Sequence, residues 1–274
     1  HVHPETVVAR AELPGNMVIV KIAAQMGVDV EEVEKLLQVK VGDEVTKGQL
    51  LAHTKSFFGI FKSEAHSPTT GVVETFSGIT GNLGVREPAI PIEVCAYVEG
   101  DIVEVTPGDG CVVEAKGAFI QGIFGVGGEC LGPIRVVSPT PDSELTEGML
   151  TPDMAGCVVV GGSLVTGAAL QRAAHLGVAA VVAGGIIDTD VEAYVGHSIG
   201  VAITGQEDVA TTVIVTEGFG PITMARRTFD LLKQHEGARA SVNGATQIRA
   251  GVIRPELIVP LPANLHKMGS YAYF

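Results

Sequence analysis

Tryptophan is absent from this 274-residue chain, and aromatic residues make up only 5% of it. That leaves little of the flat stacking surface on which single-stranded nucleic acid is bound. Positive charge is scarce as well. The 18 Lys and Arg stand against 31 Asp and Glu, a net charge of −13, which opposes attraction to a phosphate backbone and argues against a nucleic-acid partner. Long apolar runs are missing: stretches such as Gly177–Ile187 are too short to span a bilayer and contain glycines, so no membrane insertion is expected and the chain reads as soluble. No signal peptide is visible, and because residue 1 is His, a processed or truncated start is expected. The four cysteines, Cys95, Cys111, Cys130 and Cys157, lie far apart and never form C-x-x-C. Neither a metal cluster nor a disulfide framework is expected from them; buried free thiols in a reducing cytoplasm are.

Complete catalytic signatures are also lacking. There is no G-x-S-x-G, no G-x-G-x-x-G followed by an acid, and no zinc-protease spacing around His53, His66, His175, His197 or His235. The glycine-rich Gly122–Glu129 (GIFGVGGE) lacks the Gly-Lys-Ser/Thr ending of a phosphate loop, so it reads as a close backbone crossing or a mobile loop at a domain interface. No catalytic residue, metal ligand or cofactor is therefore assigned. The chain leans toward a non-enzyme.

What is present is a grammar of valines and glycines. Val39–Ala52 (VKVGDEVTKGQLLA), followed by Ser67–Thr75 (SPTTGVVET), has the form of a small barrel-sandwich domain of the biotinyl/lipoyl type. Gly42 and Gly48 fall where tight turns need positive φ or close backbone approach, while Val39, Val41 and Val45 alternate with polar neighbours as in a half-buried strand. Pro4–Gly15 echoes the second strand of such a half-motif. Asp29 with Glu32 three residues on is expected to cap a short helix ending near Leu37. Pro107–Gly110 (PGDG) is a turn between Ile92–Val105 and Cys111–Ala118. The hairpin span His53–Ser67 offers Lys55 or Lys62 in surroundings unlike those of a biotin or lipoate acceptor. Its Phe57, Phe58 and Phe61 form an apolar tip suited to docking on a neighbouring domain or subunit.

Residues 138–153 (SPTPDSELTEGMLTPD) read as a linker between a barrel-sandwich and β-hairpin region at 1–137 and an α/β Rossmann-like domain at 154–262, with a tail at 263–274. In the second domain, strands at Gly156–Val160, Ala179–Ala183, Gly200–Thr204 and Thr212–Thr216 alternate with helices at Ser163–Leu176, Asp188–Val195 and Met224–His235. Nearly continuous apolar strands predict a mostly parallel sheet covered on both faces. Ligands of such sheets gather at the carboxyl ends of the strands. Gly161, Gly162, Ser163, Thr166 and Glu217, joined by Asn243, Gln247 and Arg249, are the candidate lining of a small-anion pocket. The alternative is plain: the glycines let strands turn into helices, Ser163 is an ordinary N-cap, and Arg249 and Arg254 bridge domains or pair with Glu217 and Glu256.

The string ELPGN…KSFFGIFKSEAHSP…VREPAIPIEVCAYVEG…GAFIQGIFGVGGE, then GGSLVTGAAL…AAVVAGGI…GVAITGQE…VIVTEGFG…NGATQIRAGVIRPE, resembles an uncharacterised bacterial family across most of the chain. VKVGDEVTKGQLLA with SPTTGVVE is similar to the N-terminal region of the C subunit of the Rnf electron-transport complex and to the C-terminal region of the glutamate-mutase accessory protein MutL. The cysteine cluster motifs and flavin/nicotinamide segment of the former and the ATPase core of the latter are missing. Asn264–Phe274 does not read like the small KOW module with which members of the bacterial family end. The resemblance implies an architecture without an activity. The lack of a complete catalytic constellation, together with the Phe57–Phe61 tip and the abundant tight turns, points to a cytoplasmic scaffold that self-associates or binds a protein partner. The alternatives are an α/β domain binding or acting on a small anionic metabolite, and an accessory protein of a cofactor-dependent enzyme.

Overall fold

A computed structural model describes residues 1–54, 63–198, 207–247 and 253–261. Of the described residues, 42% are strand and 19% helix, so β-ladders rather than helix packing organise them. It divides into two compact units, Val7–Val94 and a larger one made of His1–Thr6 with Cys95–Phe274.

The smaller unit contains β1 (Val7–Leu13), β2 (Met17–Lys21), α1 (Ile22–Met26), α2 (Val30–Leu36), β3 (Glu44–Val45), β4 (Leu50–His53), β5 (Glu64–His66), β6 (Gly71–Ser77), β7 (Asn82–Arg86) and β8 (Ile90–Cys95). The order β2-β7-β6-β3 makes an antiparallel sheet, β4 pairs with β5, and β1 pairs with β8 as a separate ribbon. Gly42 and Gly48 have φ of 99° and 84°, as their turns require. Asp43 closes the first turn by accepting from the Lys40 N–H, and Gln49 closes the second from Thr46. Val39 and Val45 enter the core with Val20, Leu51, Val73 and Val85, but Val41 points to solvent because the strand proper begins only at Glu44. Asp29 stands at the N-cap of α2, yet its side chain makes no capping bond. The Pro4–Gly15 echo is realised as β1, paired with β8 rather than with the valine-rich sheet. The Phe57, Phe58 and Phe61 tip lies outside the described residues, as do residues 200–204.

The larger unit contains β9 (Asp101–Thr106), β10 (Gly110–Glu114), β11 (Gly117–Gln121), β12 (Phe124–Val126), β13 (Glu129–Val136), β14 (Val158–Val160), β15 (Leu164–Val165), α3 (Gly167–Leu176), β16 (Ala180–Ile186), α4 (Asp188–Val195), β17 (Thr212–Phe219), α5 (Arg226–Gln234), β18 (Arg239–Asn243) and β19 (Glu256–Pro260). Parallel ladders join β13 to β14, β14 to β16 and β16 to β17. Antiparallel ladders join β12 to β17, β13 to β18, β18 to β19 and β11 to β19. The sheet is therefore mixed, not mostly parallel.

Two lengths of chain each serve two neighbours. The first half of β13 pairs with β18 and the second half with β14. Residues 117–126 pair first with β19 and then, past a bend at Gly122, with β17. The Gly122 N–H donates to the Pro255 carbonyl and the next amide, Ile123, to Val215. Following the ladders from β11 leads through β19, β18, β13, β14, β16 and β17 to β12 and back onto the same stretch. The ring's interior holds Ile120, Ile134, Val158, Val182, Ile214, Val242 and Leu257, closed by Phe229 and Leu232 of α5. Its outer face over β14, β16, β17 and β12 is covered by Leu170 and Ala173 of α3, Val191 of α4, and Leu145 and Leu150. The glycine-rich run thus becomes parts of β12 and β13. Gly122, Gly125 and Gly132 are close crossings where a Cβ would meet atoms at 2.3–2.6 Å.

Residues 138–153 are built into this unit instead of linking two. Leu145 is fully buried, and its N–H donates to the Leu164 carbonyl. Helix α4 matches its expected span, whereas α3 begins at Gly167 because Leu164 and Val165 pair with Gly185 and Ile186. Gly162, Gly184 and Gly185 lie under other backbone: a Cβ would come within 2.3 Å of the Ser143 carbonyl, 2.1 Å of Ile222 and 2.0 Å of Gly220, respectively. Backbone cannot step aside as a side-chain end can. Gly184→Ala is expected to lose about 2–3 kcal/mol in urea unfolding. Gly148→Ala, with open space around it, is expected to stay within about 0.5 kcal/mol of the parent.

Candidate functional site

The strand ends named from sequence are occupied by the chain itself. Ser163 donates its hydroxyl to the Asp142 carbonyl at 2.9 Å and its N–H to Ser143. The N-cap of α3 is Thr166, whose hydroxyl accepts from the Ala169 N–H at 3.2 Å. The next free amide, Gly167, donates to the Asp190 carboxylate at 2.9 Å. The positive end of α3 is thus met by a protein carboxylate, the charge a bound anion would supply. Glu217 behaves alike at α5, accepting from the Ala225 N–H at 3.0 Å. Gly161 packs on Leu145, and its N–H donates to the Val182 carbonyl.

Asn243 and Gln247 belong elsewhere. Asn243 is paired with Glu129 at the start of β13, which runs parallel to β14, so it lies at the opposite end of the sheet from Gly161–Ser163. Its side chain accepts from the Ala245 N–H. Gln247 exchanges backbone hydrogen bonds with Ile253, next to Thr246, whose buried hydroxyl binds both polar groups of Gly125. Arg249 lies outside the described residues, and Arg254 is exposed. The expected anion pocket is not assembled by the seven described candidates. Antiparallel return through β18 carries Asn243 and Gln247 away from the other five.

A different surface gathers polar groups: the outer face of β13, β18 and β19. Register places Glu129, Asn243, Glu256 and Gln121 in one row across four strands. Tyr97 reaches this face with a φ of 67°, the only positive value outside glycine among the described residues and a conformation that costs a bulky side chain energy. Its carbonyl accepts from the Ser241 hydroxyl at 2.6 Å, while its own buried hydroxyl has no partner among the described residues. Burial pushes the phenol's pKa far upward, and the carboxylates of Glu256 and Glu129 add to this. Glu256 is itself raised, first by burial and then by Glu129. Burial likewise raises the Cys130 thiol, which keeps it protonated and a poor nucleophile. A neutral phenol and repelling carboxylates offer no nucleophile–base pair.

Beside this row a cleft of about 270 Å³ is lined by His3, Glu5, Glu99, Arg239 and Ser241 among others. The Arg239 guanidinium is paired with Glu5 across it. His3 and Glu99 line it, and Glu99 is shared with a second cleft of about 170 Å³ lined by His1 and Asp101 among others. None of these was singled out from sequence, although the alternation His1-Val2-His3 in an extended segment places two imidazoles on one side. Histidine spacing cannot reveal them, because their carboxylate partners Glu99 and Asp101 lie about a hundred residues away.

Comparison of the chain with protein-family models, curated proteins and solved structures gives no match, so the functional reading rests on the chain's own geometry.

Removing the Asp190 carboxylate (Asp190→Ala) or the Thr166 hydroxyl (Thr166→Ala) is expected to cost about 1 kcal/mol each, measured by chemical unfolding. A carboxyl whose pKa is raised by folding lends stability below its unfolded range and loses it as pH rises. Glu256→Gln is therefore expected to stabilise the protein at neutral pH, on the order of 0.5 kcal/mol once solvent screening is counted, with the gain vanishing near pH 4.

Proposed function

We propose that this chain is a non-enzymatic assembly protein that associates with further copies of itself. In this reading, a biotinyl/lipoyl-like barrel-sandwich unit is joined to an α/β unit. The observation that carries the proposal is the β9–β10 hairpin, a two-stranded ribbon that pairs with no third strand among the described residues. Such a ribbon is marginal in water alone. A bulge at Val103 shifts the register, so that Ile102, Val105, Cys111 and Val113 share one face. Val105 is 66% exposed and Ile102 39%. Contiguous apolar side chains on an unpaired ribbon are what strand addition between chains consumes.

The smaller unit supports the same reading by itself. Its β8 is exposed along its whole length and presents Ile90, Ile92 and Val94 on one side. The reading also draws support from the strand ends, where Asp190, Glu217 and Ser143 take the amides that a small anion would need.

A second copy meets acidic neighbours on the hairpin, Asp101, Glu104, Asp109 and Glu114. Like charges oppose pairing until salt screens them. Light scattering on the eluting protein is expected to show dimers or larger species that grow between about 50 mM and about 500 mM salt. Ile102→Lys with Val105→Lys is expected to return the chain to a monomer without loss of folding. A strict monomer at every salt and protein concentration would remove the proposal.

A further inference from the structure

We propose that His1, His3 and Glu99 form a binding site for one divalent transition-metal ion, with Asp101 orienting the His1 ring. Val2 and Gly100 form an isolated antiparallel bridge, with N–H to carbonyl distances of 2.8 and 3.2 Å in the two directions. Val2 is buried, so the residues on either side of it turn their side chains to the other face. Antiparallel register sets His1 opposite Asp101 and His3 opposite Glu99. Two imidazoles therefore face two carboxylates across one step of ladder.

The backbone under this constellation is held from several sides. The His3 N–H donates to the Thr6 hydroxyl at 3.0 Å, and the His3 carbonyl accepts from the Thr6 N–H at 2.9 Å. Gly100 is overlain by the Glu114 carbonyl, which would stand 2.4 Å from a Cβ there. The ladder thus cannot slide without disturbing β10.

The side chains have the arrangement that metal coordination uses. His1 Nδ1 lies 3.0 Å from Asp101 Oδ1 and Nε2 lies 3.4 Å from Glu99 Oε1. A carboxylate that accepts from one ring nitrogen fixes the tautomer and leaves the other nitrogen's lone pair for a metal. Ligand atoms of His1, His3 and Glu99 all lie within 4.8 Å of one another. Around a zinc ion with bonds of about 2.0–2.2 Å they would sit roughly 3.3 Å apart. All three side chains are exposed, so rotation about their own bonds closes the difference without moving backbone. Two nitrogens and one oxygen suit zinc, cobalt or nickel better than calcium or magnesium, and three protein ligands leave positions for water. Clefts of about 270 and 170 Å³ open on the His3 and His1 sides, respectively, and give that water room. The net charge of −13 favours cation approach. A plain ion pair, with protonated His1 between two carboxylates, is the competing account and needs no His3.

The tag-free 274-residue chain titrated with Co²⁺ separates the two, with visible absorption reporting geometry and equilibrium dialysis reporting stoichiometry. The expected result is saturable binding of one cobalt per chain, with absorption bands of a low-coordinate site, displaced by Zn²⁺. His3→Gln and Glu99→Gln are each expected to weaken binding at least about tenfold, and Asp101→Asn about tenfold through the ring it orients. Thermal unfolding of these variants without metal should match the parent, because the substituted side chains are exposed. Unchanged binding in the His1→Gln/His3→Gln double variant, one cobalt per two chains, or no saturable binding by the parent would each overturn the site. Titrating at a protein concentration where light scattering shows a single species keeps these outcomes apart from the question of self-association.

Discussion

The larger unit depends on one exchange of hydrogen-bond partners. At Gly122 the amide goes to Pro255, and one residue later the amide of Ile123 goes to Val215. That step hands a single strand from β19 to β17 and closes the ladder on itself. A side chain at Gly122 would collide with Ile214 at 2.6 Å and Pro255 at 2.9 Å, so the hand-over needs glycine. Closure has an energetic meaning: a ring of strands has no edge to leave unpaired, and every strand contributes to one interior.

Closure also explains why β9 and β10 stand out. Outside that ring, they form a ribbon with no third strand among the described residues and with apolar side chains turned to solvent. Natural sheets usually blunt such ribbons with charge or Pro. Here the acidic residues lie beside the apolar face rather than on it, which leaves that face available to another chain while making its use sensitive to salt.

At the strand ends one sequence signal has two physical causes. Glycine pairs after parallel strands signal close approach, and close approach is what the structure contains, but the approaching group is backbone. Gly162 receives Ser143, Gly184 receives Ile222 and Gly185 receives Gly220. A ligand's phosphate and a neighbouring carbonyl make the same demand for a missing Cβ, so composition at these positions could not separate them. The helix ends repeat the point, since Asp190 and Glu217 supply the negative charge that an anion would have brought.

Local chemistry was legible in the chain. Gly42 and Gly48 announce their turns, PGDG its hairpin, and the helix at Asp188–Val195 its full span, because each depends on neighbours a few residues away. The runs at Gly156–Val160, Ala179–Ala183 and Thr212–Thr216 likewise betray parallel strands by their almost continuous apolar character, and the strands formed are Val158–Val160, Ala180–Ile186 and Thr212–Phe219. Partnership at long range was decided only by tertiary structure. Which strand returns antiparallel, and so carries Asn243 and Gln247 to the far end, follows from register between segments about a hundred residues apart. The meeting of His1 and His3 with Glu99 and Asp101 has the same origin. Alternation along a strand tells which residues share a side, but only pairing tells what stands opposite them.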